Sequence, residues 1–528
     1  MAARTIGVYP VEALERRRRL FTALERAHGV QFAPRHWGAW RDLDALILFD
    51  DGIVGRSAVD TIGLPCYVIS LPPEGSLPPD SLPVTFGKGT DRRLRNRVLI
   101  EEAAAAGRVR TDGDLSEVLA WLGPHPGWVR ERRGSHHLDK VAVAPVELTA
   151  GERLKDHLQA GQFFSLLPLV QFLRDVCGPS ASVPTPLRAT FILDDLNLNW
   201  PSYGYLRYSE LVVHAARHNY HTAIAMVPID ARFAHPRAVR LFKQGDRLSL
   251  VIHGNNHLKW ELSRPSTRDD ATRLAFQALR RIERFERKYG LTVGRVMVPP
   301  HERCSELMMD ALLHSGFDAV CYARGVEHED ALIDWHPADL HVAGGLPAIH
   351  REPLFVSSDE LTLRAFLEKP LILYGHHSDV GPKLDLLEEA AGNVNALGDV
   401  SWMSTDDILQ SNFSSRIDGN VLWIRPFSRR IKVRPPTGVT HVAIEARASQ
   451  SLWRVTPAGR PAVPGQHSTT TEPSVPVAIN GSGELAIRLN APRGVTEPSS
   501  HLPAWSLWPT VRRRLTEGRD RLRPLLGR

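Results

Sequence analysis

Between residues 188 and 413, short apolar segments alternate with longer amphipathic ones in a regular order. Runs such as "ATFILDD", "HTAIAMVP" and "RLSLVIHG" have the length of strands, and runs such as "TRLAFQALRRIERFERKYG" have the periodicity of helices. This alternation specifies parallel strands joined by helical crossovers, arranged either as a closed barrel or as an open sheet. In both arrangements, ligands bind at the carboxyl ends of the strands.

The chain on either side of this region has a different pattern. Residues 1–145 mix strand-like runs ("ALILFDD", "CYVISL") with helical runs ("ALERRRRLFTALERA", "NRVLIEEAAAAG"), which predicts a separate α/β domain of unknown role. Residues 146–187 include "GERLKDHLQAGQFFSLLPLVQFLRDV", interpreted as a long helix, and then a linker. Residues 414–500 hold short strands with turn-rich joints, typical of a small β-sandwich, and residues 501–528 form a basic tail.

Cysteine content and hydropathy limit the compartment in which the chain is expected to work. The chain has 528 residues but only four cysteines, and none of them forms a CxxC pair. Neither a disulfide framework nor a cysteine zinc site is therefore indicated. The N-terminal sequence lacks the apolar core of a secretory signal, and the apolar runs are too short to span a bilayer. These features predict a reducing, cytoplasmic location.

The positive charge of the chain is concentrated at its end. The formal net charge is +6, and the segment "VRRRLTEGRDRLRPLLGR" contains seven arginines against two acidic residues. The remainder is close to neutral and shows no interleaving of aromatic and basic residues. Nucleic acid is therefore not an expected partner.

Several strands of the central region end in side chains that can bind metal or transfer protons. They are Asp194 and Asp195, His253, His301 and Glu302, and His376 and His377. His257 follows His253 at a spacing of four residues, with a glycine and two asparagines between them. One carboxylate and two imidazoles suit a divalent ion such as Zn²⁺, and three protein ligands leave an open position, as catalytic sites do.

Two similar patterns have simpler explanations. Asp50 and Asp51 also end a strand, but no HxxxH motif follows a strand in that region, so this doublet is interpreted as structural. His214 and His218 are four residues apart inside a predicted helix. Because the chain has 23 histidines, this pair is interpreted as helical rather than as a metal site.

The order of the motifs over roughly residues 188–410 resembles that of the NodB-type polysaccharide deacetylases. "FILDDLN" is similar to the family's "TFDDG", the HxxxH motif follows a strand, "VPPHE" is similar to "RPPYG", and a DW pair follows later. The resemblance implies a distorted, incomplete (β/α) barrel. It also implies a metal-dependent hydrolase that removes N- or O-acetyl groups from a carbohydrate.

The same resemblance implies roles for individual residues. Asp194 would be the general base, and Asp195, His253 and His257 would hold the metal ion. His376 would be the general acid, with His377 as the competing assignment, and Asp334 would tune its charge. The side chains expected beside the substrate are Trp200, Pro300, His301, Glu302 and Trp335. For Trp200, packing beneath its loop is the alternative to stacking on a sugar ring.

One departure from the family pattern leaves the function open. Val298 stands where the family has the arginine that holds the base, so the pKa of Asp194 is expected to be less depressed. Arg295 and Arg303 are the candidates to compensate. A carbohydrate-binding protein that keeps the metal but lacks turnover is therefore an alternative, as is another metal hydrolase on the same barrel.

Two further segments have more than one interpretation. Glu261 continues the four-residue spacing from His257, either as a partner of a ligand imidazole or as a surface helix residue. The tail combines Trp505, Trp508 and several leucines with its arginines. It predicts either peripheral contact with the anionic inner face of a membrane, docking on an acidic partner, or a frayed terminus. The sequence does not indicate the oligomeric state.

Overall fold

The computed structural model describes most of the chain. The described residues are 4–50, 62–70, 81–102, 109, 116–177, 186–323, 339–340, 346–381, 383–445, 453–457, 469–471, 475–479, 483–489, 503 and 507–523. They divide into two compact units. The first comprises the described residues within 1–181 and 357–367, and the second comprises the remaining described residues.

The first unit is built on a mixed nine-stranded sheet. Its strands are β1 (Arg4–Tyr9), β2 (Val30–Pro34), β3 (Ala45–Asp50), β4 (Cys66–Ser70), β5 (Leu82–Phe86), β6 (Val98–Glu101), β7 (Ser116–Leu122), β8 (His125–Arg133) and β9 (His136–Val141). Its first helices are α1 (Val11–Arg16), α2 (Arg18–His28) and α3 (Leu167–Cys177). The order is β2-β1-β3-β4-β9-β8-β7-β5-β6, parallel through β9 and antiparallel beyond it. The predicted N-terminal α/β architecture is confirmed.

Two segments of this unit differ from their sequence interpretation. "NRVLIEEAAAAG" was expected to be helical, but its start forms β6, which pairs antiparallel with β5 and buries alternate residues. The long helix expected from residue 151 begins only at Leu167. A single 3₁₀ turn precedes it, and Gly161 adopts a left-handed backbone (φ +83°) that interrupts a helix.

The second unit contains the predicted parallel sheet. The strands of this sheet are β10 (Leu187–Asp194), β13 (Thr222–Met226), β14 (Leu248–His253), β15 (Val296–Val298), β16 (Ala319–Tyr322), β17 (Asp339–Leu340), β18 (Pro347–His350), β19 (Glu352–Pro353), β20 (Leu371–His376) and β21 (Val400–Trp402). Two short strands, β11 (Ser202–Tyr203) and β12 (Leu206–Arg207), form a separate antiparallel pair. The helices in this stretch are α4 (Tyr208–Arg217), α5 (Pro236–Lys243), α6 (Arg268–Tyr289), α7 (Glu306–Ser315), α8 (Ser358–Phe366), α9 (His377–Val380), α10 (Asp385–Asn395) and α11 (Thr405–Gln410). Helix α8 lies within the first unit, whose core it joins through Leu363 and Phe366.

The sheet curls into a barrel that one short segment closes. The strand order is β17-β18-β16-β15-β14-β13-β10-β20-β19, with β21 pairing to β10. At one edge β18 pairs with β16, and at the other edge β19 pairs with β20. Only Arg351 separates β18 from β19, so residues 347–353 bridge both edges, and we call them the closing segment. The predicted (β/α) barrel is confirmed, and the closing segment makes it nearly complete.

A β-sandwich follows the barrel. One sheet consists of β22 (Phe413–Asp418), β23 (Val421–Pro426), β25 (His441–Ile444) and β28 (Val477–Ala478). The other consists of β24 (Arg430–Val433), β26 (Trp453–Pro457), β27 (Thr469–Thr471) and β29 (Leu485–Leu489). Leu422 and Val442 of the first sheet share a core with Ile431 and Ile487 of the second. The predicted β-sandwich is therefore confirmed.

The described chain ends in helix α12 (Leu507–Leu522), which packs on the barrel. None of the helices in the described part of the chain is long and apolar enough to cross a membrane. All four cysteines are free.

Candidate metal centre

His253 is the last residue of β14, and its surroundings fix its chemical form. It is buried, and its Nδ1 lies 3.0 Å from the carbonyl oxygen of Val298 on the neighbouring strand. A carbonyl can only accept, so Nδ1 carries the proton, and Nε2 keeps its lone pair when the ring is neutral. Burial lowers the pKa of His253 to about 4, which keeps the ring neutral near pH 7. Nε2 is therefore available as a metal ligand.

A tight turn brings His257 beside His253. Gly254 has a left-handed backbone (φ +59°), and a Cβ there would lie 2.5 Å from Cγ of Pro300, so only glycine fits. The carboxylate of Glu261 accepts hydrogen bonds from the backbone N–H groups of the next three residues, at 2.8 to 2.9 Å, and the third of these residues is His257. Glu261 is buried and binds the backbone of the loop, so it is neither a surface residue nor a partner of a ligand imidazole.

The three predicted ligands converge. Oδ1 of Asp195 lies 2.8 Å from Nε2 of His257 and 3.6 Å from Nε2 of His253. This oxygen is buried and has no aligned hydrogen-bond donor among the described residues. A buried anionic oxygen facing the Nε2 atoms of two imidazoles is the arrangement that a divalent ion would satisfy. The residues present therefore fit a metal ion, and the mixed nitrogen and oxygen set is one that Zn²⁺ accepts.

Asp194 is held by an arginine that the sequence analysis did not identify. Arg351, in the closing segment, donates Nη1 to Oδ1 at 2.9 Å and Nη2 to Oδ2 at 2.8 Å. Both side chains are buried, and Arg351 is 1% exposed. Burial by itself would raise the pKa of Asp194, but Arg351 and the neighbouring His253 bring the pKa below its usual value. Arg351 therefore supplies the cationic partner that Val298 cannot, and it is neither of the two arginines expected to compensate.

Neither of the two arginines proposed from the sequence takes this role. Arg295 pairs with Glu286 at 2.7 Å, and the guanidinium of Arg303 lies 5.0 Å from the ring centre of Trp260. Their distance along the chain from Val298 is short, but their side chains have other partners. The only sequence signal for Arg351 was its place at the end of the strand-like run "LPAIHRE".

The two candidate general acids have different surroundings. His376 is the register partner of Asp194 across β10 and β20, and its side chain is 44% exposed. His377 is buried, with its Nε2 3.6 Å from Oδ2 of Asp520 in α12. Access to solvent and proximity to Asp194 favour His376.

The charge state of His376 follows from its neighbours. Burial would lower its pKa, but the carboxylates of Asp194 and Asp195 raise it, and so does Asp379, whose Oδ2 is 3.2 Å from Nδ1. The net direction is upward, so the protonated imidazole persists to a higher pH than usual. The contact with Asp379 uses Nδ1 and leaves Nε2 as the nitrogen that can donate.

The predicted substrate side chains are placed differently from one another. Trp200 is 56% exposed, with the guanidinium of Arg521 5.7 Å from its ring centre. His301 is exposed, and its ring lies 5.5 Å from that of His257. Pro300 is buried, and Glu302 is engaged with Arg351 and with the N–H of residue 323. The remaining two predicted residues, Asp334 and Trp335, lie outside the described residues.

Helix α12 contributes to the centre, which the sequence analysis did not foresee. Arg513 is buried and donates Nε to Oδ2 of Asp230 at 2.7 Å. Its Nη1 lies 3.6 Å from Oδ1 of Asp195, and its Nη2 donates to the backbone oxygen of the same residue. Arg512 donates to the backbone oxygen of His257 at 2.5 Å. The polar side of α12 therefore contacts both loops that carry the candidate metal ligands.

A second group of possible ligands exists on the helices. His214 and His218 stack at 4.3 Å, and their Nε2 atoms lie 3.9 and 3.7 Å from Oε2 of Glu388. The three ligand atoms are close enough to hold an ion, although Glu388 is exposed. Of the N-terminal doublet, Asp50 ends β3 and Asp51 lies outside the described residues.

Comparisons with known proteins identify similar structures but no related sequence. No protein-family model and no curated protein sequence matches the chain. A polysaccharide deacetylase candidate from Mycobacterium smegmatis is 17% identical, covers 43% of this chain and 91% of its own, and gives a TM-score of 0.31. The family 4 carbohydrate esterase from Streptomyces lividans, solved with acetate, is 11% identical, covers 42% of this chain and 93% of its own, and gives a TM-score of 0.27. The CE4 family pseudoenzyme BA3943 from Bacillus anthracis is 10% identical, covers 42% of this chain and 65% of its own, and gives a TM-score of 0.25. These matches cover less than half of this chain, and their scores are too low to assign an activity to it.

Proposed function

We propose that this protein is a metal-dependent deacetylase that removes N- or O-acetyl groups from a carbohydrate. The observation that carries the proposal is the convergence of Asp195, His253 and His257 beside a second carboxylate, Asp194, which a buried arginine holds. The arrangement supplies three metal ligands, a base and an accessible acid at the carboxyl ends of parallel strands. That combination suits the hydrolysis of an amide or an ester.

The residues of the chain have separable tasks in this reaction. A divalent ion held by the three ligands would polarise the acetyl carbonyl and acidify a nearby water. Asp194 accepts the proton of the attacking water, and Arg351 fixes the orientation of that carboxylate and keeps it ionised. His376 donates a proton from Nε2 to the departing amine or alcohol. Exposed Trp200 and His301 lie where a sugar could contact them.

The alternative, a carbohydrate-binding protein without turnover, was motivated by the missing arginine at Val298. Arg351 delivers a guanidinium to the same carboxylate, so that motivation no longer holds. The enzyme is therefore the preferred function. The cytoplasmic location stays a prediction.

The proposal is tested by measuring the metal content of the purified protein and acetate release from a panel of acetylated glycans. We expect about one divalent ion per chain at the three-ligand centre, and acetate release that a chelator abolishes and added metal restores. A metal-loaded protein that binds a glycan of the panel but releases no acetate from any member would favour the binding protein instead.

The Asp379 side chain is expected to set the upper pH limit of the reaction. A general acid must be protonated, so turnover falls as pH rises through the pKa of His376, which Asp379 helps to raise. Asp379→Asn removes a negative charge, lowers that pKa and should move the alkaline limb of the kcat profile to lower pH. Asp385→Asn, an exposed carboxylate on α10, is the control and should leave the limb in place. An unmoved limb in Asp379→Asn would exclude His376 as the acid.

A further inference from the structure

Helix α12 is amphipathic in the opposite sense to an ordinary surface helix. Its buried side is polar: Arg513, Glu517 and Asp520 are nearly inaccessible to solvent. Arg513 pairs with Asp230, and Asp520 accepts a hydrogen bond from the hydroxyl of Tyr203 at 3.1 Å. These contacts hold this side of the helix against the carboxyl end of the barrel.

The solvent side of the same helix is apolar. Its exposed hydrophobic residues, which we call the outer stripe, are Leu507, Trp508, Val511, Leu515 and Leu522. Trp508 is 64% exposed and Leu515 is 68% exposed. Successive helical residues are turned by about 100°, which places Trp508, Val511 and Leu515 on one side and Arg513 and Glu517 on the other. An exposed stripe of this kind usually marks an interaction surface.

Arginines border the outer stripe on both sides. By the same helical geometry, Arg514 and Arg521 lie along one border, and Arg512 and Arg519 lie along the other. Arg514 and Arg519 expose 55% and 61% of their side chains. The heads of Arg512 and Arg521 donate to backbone oxygens of the barrel, so Arg514 and Arg519 are the more exposed cations. The two acidic residues of the helix, Glu517 and Asp520, are buried on its inner side, so the outer side carries no acidic group.

We infer that the outer stripe of α12 docks this protein on an anionic lipid surface. Apolar side chains flanked by cations match the boundary between acyl chains and anionic head groups, and a tryptophan is suited to that boundary. A second copy of the chain fits less well, because a symmetric contact would set arginine borders against arginine borders. An acidic protein would satisfy the arginines but leaves the stripe of exposed leucines without a partner.

Docking in this way would bring the centre close to the membrane. The inner side of α12 contacts the loops that carry Asp195 and His257, so the helix lies between these loops and the lipid. One helix diameter, about 10 Å, would separate the metal ligands from the head groups. The inference does not depend on the reaction, because binding to lipid can be measured without turnover.

The test is co-sedimentation of the full chain with vesicles of phosphatidylcholine, alone or mixed with phosphatidylglycerol. We expect binding to the mixed vesicles that weakens as salt is raised, and little binding to the neutral ones. Leu515→Asp should weaken binding by more than about tenfold, since it places a charge in the stripe. Val213→Asp, at a 61% exposed site on α4, is the matched control and should bind as the wild type does.

Several results would overturn the inference. They are equal binding of Leu515→Asp and the wild type, equal binding to neutral and anionic vesicles, or a stable dimer that Leu515→Asp dissociates without change in vesicle binding. Circular dichroism and metal content should be unchanged in Leu515→Asp, because the side chain points away from the barrel. Asp194→Asn should bind vesicles as the wild type does, which separates this inference from the proposed reaction.

Discussion

Asp194→Asn is expected to abolish acetate release while the purified protein keeps its metal, whereas His253→Ala is expected to lose both. The amide cannot accept the proton of water, and the loss of a general base costs about 10²- to 10⁴-fold in rate. Asp194 is held by Arg351 and lies outside the three-ligand set, so its replacement leaves the ligands in place. His253 supplies one of three ligand atoms, and two are insufficient to retain the ion. Elemental analysis and an acetate assay on the same preparations check both expectations.

His214→Ala is the control for these variants, because it removes a histidine of the same four-residue spacing on α4. It should keep the metal of the centre and the acetate release. If instead the bound ion disappears in His214→Ala and stays in His253→Ala, the ion is held by the His214, His218 and Glu388 group. Equal metal content in all three variants would show that the ligand assignment is wrong.

Arg351→Met is expected to lower the free energy of unfolding by about 3–5 kcal/mol. The reason is that it leaves the buried Asp194 carboxylate without its cation, and Glu302 loses the same partner. Acetate release should fall with it, because the base is no longer oriented. Denaturant unfolding followed by tryptophan fluorescence measures the change. Arg351→Lys keeps the charge but not the two parallel hydrogen bonds, so an intermediate result is expected.

Arg295→Met is the matched control, since Arg295 pairs with Glu286 at a partly exposed position. An ion pair of that kind contributes about 0–1 kcal/mol to the free energy of unfolding, so only a small change is expected. The role assigned to the buried pair would be contradicted if the two variants unfolded at the same denaturant concentration and Arg351→Met still released acetate as the wild type does.

The convergence of Asp195, His253 and His257 beside Asp194 could be predicted because each position follows from local sequence. His253 ends an apolar run, and the glycine after it marks the turn that returns His257. Parallel strands place their carboxyl ends together, so residues after β10 and β14 had to meet. Periodicity and strand direction were sufficient for these residues, and also for the barrel and the β-sandwich.

The supporting residues could not be predicted because their partners are remote. Arg351 is 157 positions from Asp194, and Arg513 is 318 positions from Asp195. No local pattern distinguishes an arginine that will be buried against a carboxylate from one that will be exposed. The interpretation of β6 as a helix was wrong for a similar reason. Its residues are alternately exposed and buried, and this alternation in burial arises only when β6 pairs with β5. Such contacts depend on the assembled tertiary structure.

The position of Arg351 between β18 and β19 has a consequence for the order in which the molecule assembles. The closing segment can pair with both β16 and β20 only after these strands have been brought together. Until then the guanidinium of Arg351 cannot be buried against Asp194, and that carboxylate has no cation to orient it. In the proposed reaction, completion of the barrel and orientation of the base are thus one event. In that reaction, an incompletely folded chain that had already gathered the three proposed ligands would still lack an oriented base, so the topology would delay hydrolysis until folding is finished.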